Sequence, residues 1–329
     1  MIPTDERAGS EPTAAAALPL AGDVALSVIV VNWNTKDLLR RCLKTVQRAS
    51  VGLKGHIEIL VVDNASTDGS PDMIRDEFDQ VVLVTNDHNI GFARANNQAL
   101  GAARGEYLML LNPDTELNPE ALSRLVTFMR LHAAVGAAGP RLSNPDGTLQ
   151  VSCSRTPTIV REFWRLFHLE RLYPLAAYPR SLWDSDHELE VEVVQGACIV
   201  LRRRALEDVG LLDEDFFMYT EETDLCYRLT KAGWQISWVP WASVLHHGGQ
   251  STKQAPRAMF IELYASKVQF FRKHYGGAAT MGYKFILGLA SVARIALAPV
   301  GYLLDRATGG SRSLLAQHYS ALLRSLPAM

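Results

Sequence analysis

The stretch SVIVVNWN, residues 27 to 34, decides the fold, because its β-branched run predicts a short strand that ends abruptly in polar residues. A second run, IEILVV at 57 to 62, leads into the turn-rich DNASTDGSP at 63 to 71, in which Pro71 stands at a helix-start position. The pattern predicts a third strand over 81 to 85 and a helix over 91 to 103. Strands alternating with helices in this way predict an α/β fold with a mainly parallel, doubly wound sheet and right-handed crossovers.

A further apolar strand, LMLLNPD at 108 to 114, delivers Asp114 into a Pro-bounded turn. Ligands of open α/β sheets gather outside the carboxyl ends of the strands, and a hard cation prefers carboxylates together with substrate phosphates. Asn-Pro-Asp is also good turn chemistry in its own right. Taken alone, the run therefore fits either a metal-diphosphate site or a plain strand-end turn.

Length and composition bound the class of protein. The 329 residues, 48% of them hydrophobic, supply ample core for one large α/β domain and an appendage. No GxGxxG follows the first strand, and no GxxxxGK followed by Ser or Thr occurs, which argues against a Rossmann dehydrogenase and a kinase or ATPase. The segment NWNT at 32 to 35 is not the Gly-rich, basic loop of a nucleotidyltransferase. The four cysteines show no CxxC spacing, which favours reduced core thiols in a cytosolic protein.

Seven motifs in chain order resemble those of the inverting, metal-dependent nucleotide-sugar glycosyltransferases of the GT-A type (family 2), especially the rhamnosyltransferase-like branch. They are VVNWN (30–34), VVDNASTDGS (61–70), NIGFARANN (89–97), LLNPD (110–114), QGAC (195–198), FFMYTEETDLC (216–226) and HHGGQST (246–252). The resemblance covers roughly residues 24 to 275. It implies a GT-A domain over 25–275, with a nucleotide-binding half at 25–115 and an acceptor-binding half at 116–275.

The resemblance also implies a nucleotide-sugar site in the first half. The positions that match the family's donor-binding motifs are Val31, Asn32, Asn34, Asp63, Asn89, Gly91, Arg94 and Asn112. Asp63 resembles the family's nucleobase-binding Asp, whose carboxylate can accept the N3–H of uracil or thymine. The alternatives are an Asx cap on the following turn for Asp63 and a solvated helix charge for Arg94.

A divalent cofactor, Mg²⁺ or Mn²⁺, and a general base follow from the same resemblance. Asp114 matches the metal-binding carboxylate, although Asn112 stands where the family often has a first Asp. His246 resembles an additional metal ligand, with His247 as the alternative. Glu222 occupies the position of the catalytic base, usually Asp. Glu221 and Asp224 are close alternatives, because acidic residues at a helix start also stabilise that helix.

The acceptor side is predicted from three residues. Gln195 and Gly196 begin a strand that resembles the acceptor wall of the family, where Gly196 would let a ligand approach the backbone. A bulge is the alternative. Lys267, on a predicted helix over 259–275, faces the region where a lipid-linked pyrophosphate would dock, or else belongs to a solvated helix face.

The last 77 residues carry a basic excess, since from Lys253 onward ten Lys and Arg stand against Glu262 and Asp305. The apolar segment 285–304 is long enough to span a bilayer, but Arg294 and Pro299 argue against a span. We expect C-terminal helices over 276–329 that lie on an anionic membrane face. A helical hairpin packed on the domain or on a second subunit, and a transmembrane span, are the alternatives. Residues 1–24 are predicted to be a disordered tail rather than a signal peptide.

These features together predict a cytoplasmic, inverting glycosyltransferase, peripheral on the inner face of the cell membrane. The resemblance to the rhamnosyltransferase-like branch favours rhamnose from dTDP-rhamnose as the sugar moved, and a saccharide on a polyprenyl carrier, in envelope polysaccharide synthesis, as the acceptor. Galactofuranosyl or other hexosyl donors stay open, as does a non-catalytic nucleotide-sugar-binding scaffold. We expect no nucleic-acid partner, and a homo-oligomer is among the alternatives.

Overall fold

The computed structural model describes residues 24–179, 182–183, 186–250, 254–308 and 312–329, without the side chains of 299–315. The tail predicted over 1–24 lies outside the described residues, apart from Val24.

The first half alternates strands and helices as the sequence predicts. Its elements are β1 (Val24–Asn32), α1 (Lys36–Ser50), β2 (His56–Asp63), α2 (Ser70–Glu77), β3 (Val81–Thr85), α3 (Phe92–Ala102) and β4 (Tyr107–Leu111). Apolar side chains three and four residues apart, at Leu39, Cys42, Leu43 and Val46, bury one face of α1. Pro71 stands in the first turn of α2, where its missing N–H has no helical partner to lose.

The second half is less regular and has shorter strands. Its elements are β5 (Thr115–Leu117), α4 (Ala121–Leu131), β6 (Val135–Ser143), β7 (Leu149–Gln150), β8 (Cys153–Ser154), α5 (Ile159–Leu166), a 3-10 turn (Leu169–Arg171), β9 (Leu189–Glu190), β10 (Val193–Val194), β11 (Cys198–Arg202), α6 (Arg203–Val209), α7 (Glu221–Lys231), β12 (Gln235–His246), α8 (Pro256–Thr308) and α9 (Arg312–Ser325).

The main sheet has the strand order β3-β2-β1-β4-β11-β6-β12-β5. Strand β1 pairs in parallel with β2 and β4, β2 in parallel with β3, and β6 in parallel with β12. Strand β11 runs antiparallel to both of its neighbours, β4 and β6. The predicted mainly parallel GT-A sheet is therefore confirmed. The residues that precede β11 lie beside the carboxyl end of β4.

Helices cover both faces of the sheet. Along β1, Val28 and Val30 belong to one core cluster with α1 and α4, whereas Ile29 and Val31 belong to the other with α3 and α7. A strand buried on both faces reads as an unbroken apolar run, which is why residues 28 to 31 show no alternation.

Helix α8 is two helices joined at a kink. Gly276 has φ 77° and ψ −178°, a conformation that glycine adopts without steric penalty. On both sides of the kink, α8 contributes to a separate apolar cluster with α5 and α9. Within the described residues, Pro256–Ala298 is the one helix long and apolar enough to cross a membrane, a test that core helices of soluble proteins also pass.

Candidate active site

The ends of β1 and β2 are joined by a network around Asp63. The two strands place Asn32 opposite Asp63, and Asn32 Nδ2 donates to Asp63 Oδ2 at 2.7 Å. The Ser66 N–H donates to Asp63 Oδ1 at 2.8 Å, which closes an Asx-type turn. Both carboxylate oxygens thus have a partner, although each keeps a second lone pair. The structure shows the turn, and the nucleobase role of Asp63 stays a prediction.

Asn34 fastens the loop after β1 to the loop after β2. Its backbone is left-handed, with φ 51°, which Asn tolerates better than most residues. The Asn34 N–H donates to Ser66 Oγ at 2.8 Å, and Asn34 Oδ1 accepts from the Thr67 N–H at 2.7 Å. Residues 32–36 and 63–70 therefore form one continuous wall at the carboxyl edge of the sheet, with Val31 buried beneath it.

Gly91 stands immediately before α3 and connects the predicted nucleotide-binding half to the loop before α7. Asn89 Oδ1 accepts from the Gly91 N–H at 3.0 Å. The next N–H, of Phe92, donates to the carbonyl of Phe217 at 2.7 Å. Arg94 does not join this group: its side chain is 57% exposed and lies 3.7 Å from Glu214. The exposed position fits the solvated alternative, and the role of Arg94 in nucleotide-sugar binding stays a prediction.

Asp114 and His246 are brought together by the pairing of β5 with β12. Thr115 lies opposite His246 in that pairing. His246 Nε2 lies 3.2 Å from Asp114 Oδ1. His247 turns the other way, with its Nε2 2.9 Å from Glu116 Oε1. Of the two histidines, His246 therefore faces the predicted metal-binding carboxylate.

The pair of Asp114 and His246 suits a divalent cation. His246 Nε2 is buried, and among the described residues it makes no hydrogen bond apart from its 3.2 Å contact with Asp114 Oδ1. The other ring nitrogen, Nδ1, lies 2.6 Å from Gln150 Oε1, which only accepts, so Nδ1 carries a proton and Nε2 is the nitrogen available to bind a cation. No group of three His, Cys, Asp or Glu gathers as a metal site in the described part of the chain. A cation here would thus take one or two protein ligands and complete its shell with substrate phosphate and water.

Glu221 and Glu222 begin α7, after two left-handed residues, Tyr219 (φ 67°) and Thr220 (φ 69°). Burial, followed by the charges of Glu222 and Glu262, raises the pKa of Glu221 well above its usual range. Burial also raises the pKa of Glu222, but backbone N–H groups, including that of Gly196, oppose the rise. Of the pair, Glu222 is therefore the carboxylate better able to stay ionised and accept a proton.

Asp224 is not placed as a base. His274 Nε2 and Lys273 Nζ each lie 2.7 Å from its Oδ1, and Arg228 Nε lies 2.8 Å from its Oδ2. Burial would raise the pKa of Asp224, but the His274 hydrogen bond and the charges of Arg228 and Lys273 outweigh burial and lower it to about 2. A carboxylate held by three basic groups is a poor proton acceptor, so Asp224 anchors α7 to α8 instead.

Gly196 lies against Glu222, the predicted base. A β-carbon on residue 196 would come 3.8 Å from Glu222 Cβ, an ordinary contact distance. One residue on, the Ala197 carbonyl accepts from the Asn112 N–H at 2.9 Å, and Gln195 is fixed by its N–H to the Ser152 carbonyl at 2.8 Å. Residues 195–197 thus connect the Asn-Pro-Asp turn with Glu222.

Lys267 forms an ion pair with Glu162 instead of joining these residues. Its ammonium group is 2.9 Å from Glu162 of α5, and only 13% of its side chain is exposed. Glu162 is fully buried and also pairs with Arg165 at 3.0 Å. The structure thus places Lys267 in an interior ion pair that joins α5 to α8, because α5 covers this side of the helix. The position does not fit the predicted contact with an acceptor pyrophosphate.

The sequence reasoning missed three neighbours of the site. Ser266 on α8 shares a hydrogen bond of 3.1 Å with the Thr220 hydroxyl, Glu262 adds its charge to Glu221, and Gln150 contacts His246. None of the three belongs to a motif. Their only signal in the sequence is a polar residue in an otherwise apolar or turn-forming segment.

Comparisons with known proteins point to one family. The family Glycosyl transferase family 2 matches residues 27–210. The chain is 30% identical to the N-acetylglucosaminyl-diphospho-decaprenol L-rhamnosyltransferase of Mycobacterium tuberculosis (strain H37Rv), over 77% of this chain and 85% of that protein. It is 29% identical to the O-antigen biosynthesis protein RfbC of Myxococcus xanthus, over 75% of this chain and 19% of that protein.

Solved structures share the fold. The mannosyltransferase PcManGT from Pyrobaculum calidifontis, in complex with GDP-Man and Mn²⁺, matches with a TM-score of 0.55 at 18% identity, over 97% of this chain and 90% of that one. GalNAc-T7 with UDP, GalNAc and Mn²⁺ matches with a TM-score of 0.50 at 17% identity, over 68% and 44%. The family match spans more than half of the chain, and the fold agrees with it: the protein belongs to glycosyl transferase family 2 and is a glycosyltransferase of the GT-A fold.

Proposed function

We propose that the protein is an inverting, divalent-metal-dependent rhamnosyltransferase that moves rhamnose from dTDP-rhamnose to a polyprenyl-linked saccharide. One observation carries the proposal: the Asp114–His246 pair and the Glu222 carboxylate lie at the same edge of the sheet, joined through residues 112 and 195–197. The 30% identity to a protein named as a rhamnosyltransferase for a decaprenyl-diphosphate-linked sugar supports the choice of donor and acceptor.

Asp114 and His246 would hold the Mg²⁺ or Mn²⁺ ion, which when bound neutralises charge on the leaving diphosphate. Residues 32–36 and 63–70, with Asn89 and Gly91, would surround the nucleoside. The Ala197 carbonyl, just before β11, holds the backbone of the Asn112 turn, and His246 and the Gln250 N–H contact the two oxygens of the Asp114 carboxylate. A pre-set carboxylate binds without paying the entropy of ordering a mobile loop.

Glu222 would act as the general base. In an inverting transfer, the acceptor hydroxyl attacks the anomeric carbon from the face opposite the nucleotide, and a carboxylate takes the hydroxyl proton. The Gly196 N–H orients Glu222, and burial keeps its pKa above the usual value, which strengthens it as a base. Its side chain is one methylene longer than the Asp that the family typically has, and so reaches further toward the acceptor.

The C-terminal part of α8 supports attachment to a membrane surface. Met281, Phe285, Leu289 and Val292 follow one side of the helix and are exposed, Phe285 by 71%. Apolar side chains on one helix face, together with the basic excess from Lys253 onward, suit the anionic inner face of a membrane. The polyprenyl-linked acceptor lies in the same membrane, so this attachment would bring enzyme and acceptor together at the cytoplasmic surface.

The decisive test is transfer with defined substrates. The purified chain, with Mn²⁺, is incubated with a polyprenyl-diphosphate-linked N-acetylglucosamine and, separately, dTDP-rhamnose, UDP-galactofuranose or UDP-glucose, and products are identified by mass spectrometry. The proposal requires a rhamnosylated product that Glu222→Gln fails to make. Transfer from another donor would change the sugar but keep the enzyme class. Nucleotide binding without transfer from any donor would favour the scaffold.

A further inference from the structure

The strand that carries Gln150 is held in a tight hairpin beside His246. Strand β7 pairs antiparallel with β6, and Gln150 lies opposite Leu142. The turn between them is closed by the Asn144 N–H, which donates to the Thr148 carbonyl at 2.8 Å. Gln150 therefore reaches His246 from a fixed backbone position, although 96 residues separate the two in the chain.

Side chains of the same hairpin form a chain of hydrogen bonds that ends at His246. The Thr148 hydroxyl lies 2.6 Å from Asp146 Oδ1, and Asn144 Nδ2 lies 2.9 Å from Thr148 Oγ1. Gln150 Nε2 lies 2.9 Å from Asn144 Oδ1, and Gln150 Oε1 lies 2.6 Å from His246 Nδ1.

The chemistry of Asp146 fixes the direction of every bond in this chain. An ionised carboxylate only accepts, so the Thr148 hydroxyl donates its one proton to Asp146. The Thr148 oxygen must then accept from the Asn144 amide NH₂, which turns Asn144 Oδ1 toward the NH₂ of Gln150. Gln150 Oε1 in turn accepts from His246 Nδ1–H. The imidazole therefore carries a proton on Nδ1, and Nε2 is the nitrogen that faces Asp114.

We propose that Gln150 is a positioning residue for the metal site: through the hairpin chain, it fixes His246 in the tautomer whose Nε2 binds a divalent cation together with Asp114. The inference rests on the proposed metal role of Asp114 and His246. Without an acceptor at Nδ1, the imidazole is free to carry its proton on Nε2, where it would donate to Asp114 and close the position. Outer hydrogen bonds of this kind hold metal-binding histidines in one tautomer and orientation.

Gln150→Met tests the proposal, because methionine has a similar length and no amide. Gln150→Glu keeps an acceptor opposite Nδ1 and serves as the rescue variant. Gln235→Met is the matched control, since Gln235 is exposed at the other end of the strand that carries His246. Circular dichroism and thermal melting of each full-length variant show whether it folds.

Two readouts apply, and neither needs catalytic activity. The first is Mn²⁺ affinity in the presence of dTDP, measured from free Mn²⁺ by electron paramagnetic resonance. We expect Gln150→Met to weaken Mn²⁺ binding about 10- to 100-fold, Gln150→Glu to recover most of that loss, and Gln235→Met to match the wild type. The second is long-range ¹H–¹⁵N NMR of the metal-free protein at a pH where the imidazole is neutral: the proton of His246 should lie on Nδ1 in the wild type and be divided between Nδ1 and Nε2 in Gln150→Met.

Mn²⁺ binding by folded Gln150→Met within twofold of the wild type would overturn the proposal, as would a wild-type His246 without a proton on Nδ1. The variants Asp114→Ala and His246→Ala separate this failure from that of the metal site itself. If both lose Mn²⁺ while Gln150→Met does not, only the role of Gln150 is wrong. If neither loses Mn²⁺, the metal site is wrong and the role of Gln150 with it.

Discussion

Gly91 and Phe217 are packed so closely that a β-carbon on residue 91 would come 2.7 Å from the Phe217 carbonyl oxygen. The Phe92 N–H donates to that same oxygen. The contact joins the start of α3, in the predicted donor half, to the loop that leads into Glu221 and Glu222. The predicted nucleotide wall is thus joined directly to the loop before the proposed base. Residue 91 must be glycine both because its φ is positive and because a β-carbon would collide with Phe217.

Gly91→Ala should therefore destabilise the protein by more than its backbone angle alone explains. Gly233→Ala is the control, because Gly233 has φ 91°, close to the 90° of Gly91, and nothing lies within 4 Å of its β-carbon position. We expect Gly233→Ala to lower the free energy of unfolding by about 1 to 2 kcal/mol, and Gly91→Ala by at least about 1 kcal/mol more. Urea unfolding measures both, and equal losses would show that the Phe217 contact is not tight.

The two glutamates at the start of α7 should differ sharply when each is replaced by glutamine. Glu222→Gln removes the proposed base and should lower kcat about 10²- to 10⁴-fold, with little change in donor KM. Glu221→Gln should keep most of the activity, because burial and neighbouring charges already favour the protonated form of Glu221. The opposite ranking in a steady-state transfer assay would exchange the two roles.

The assignment of Glu222 as the base also predicts how kcat/KM depends on pH in acid. Burial raises the pKa of Glu222 above its usual value of 4.5, and a base must be ionised to act. The value of kcat/KM should therefore fall, as the pH is lowered, at a pH above 4.5 rather than at the ordinary glutamate value. In Glu222→Gln, the residual activity should not show this fall at low pH. A wild-type kcat/KM that falls only below pH 4.5 would contradict the assignment.

Asp224 should contribute stability that acid removes. Its pKa is lowered from 3.8 to about 2 in the folded protein, so its contribution is complete above 3.8 and disappears as the pH falls toward 2. At neutral pH, Asp224→Asn should lower the free energy of unfolding by about 2 to 4 kcal/mol, because a buried ionic cluster loses its carboxylate. The difference in the free energy of unfolding between Asp224→Asn and the wild type should narrow as the pH falls from 4 to 2. Asp72→Asn, in an exposed pair with Arg75, should change stability by no more than about 1 kcal/mol at any pH.

Local patterns in the sequence predict much of the first half correctly. The apolar runs mark β1, β2 and β4, and each ends where its polar residues begin. Parallel neighbours bring those ends to one edge, so Asn32, Asp63 and Asp114 could be assigned to the same side of the sheet in advance. The order of the motifs also identified the fold as GT-A, which family membership confirms.

Contacts between distant segments that lie outside the motifs could not be predicted. Lys267 reads as part of a basic helix face, and only the position of α5, with Glu162 turned inward, makes it an interior ion pair. Gln150 and Ser266 have no motif around them, since their partners His246 and Thr220 are fixed by sheet register and helix packing rather than by local sequence. The antiparallel direction of β11, which brings Gly196 to Glu222, is likewise a property of the chain path.

The central claim is that Asp114 and His246 hold a divalent cation for a pyrimidine nucleotide diphosphate. Isothermal titration with dTDP and UDP, with and without Mn²⁺, tests it in the wild type, Asp114→Ala and His246→Ala. The account predicts binding in the wild type that strengthens at least about tenfold with Mn²⁺, and variants that lose this gain while keeping the metal-free affinity. Metal-independent binding of equal strength in all three proteins, or binding of neither nucleotide, would contradict it.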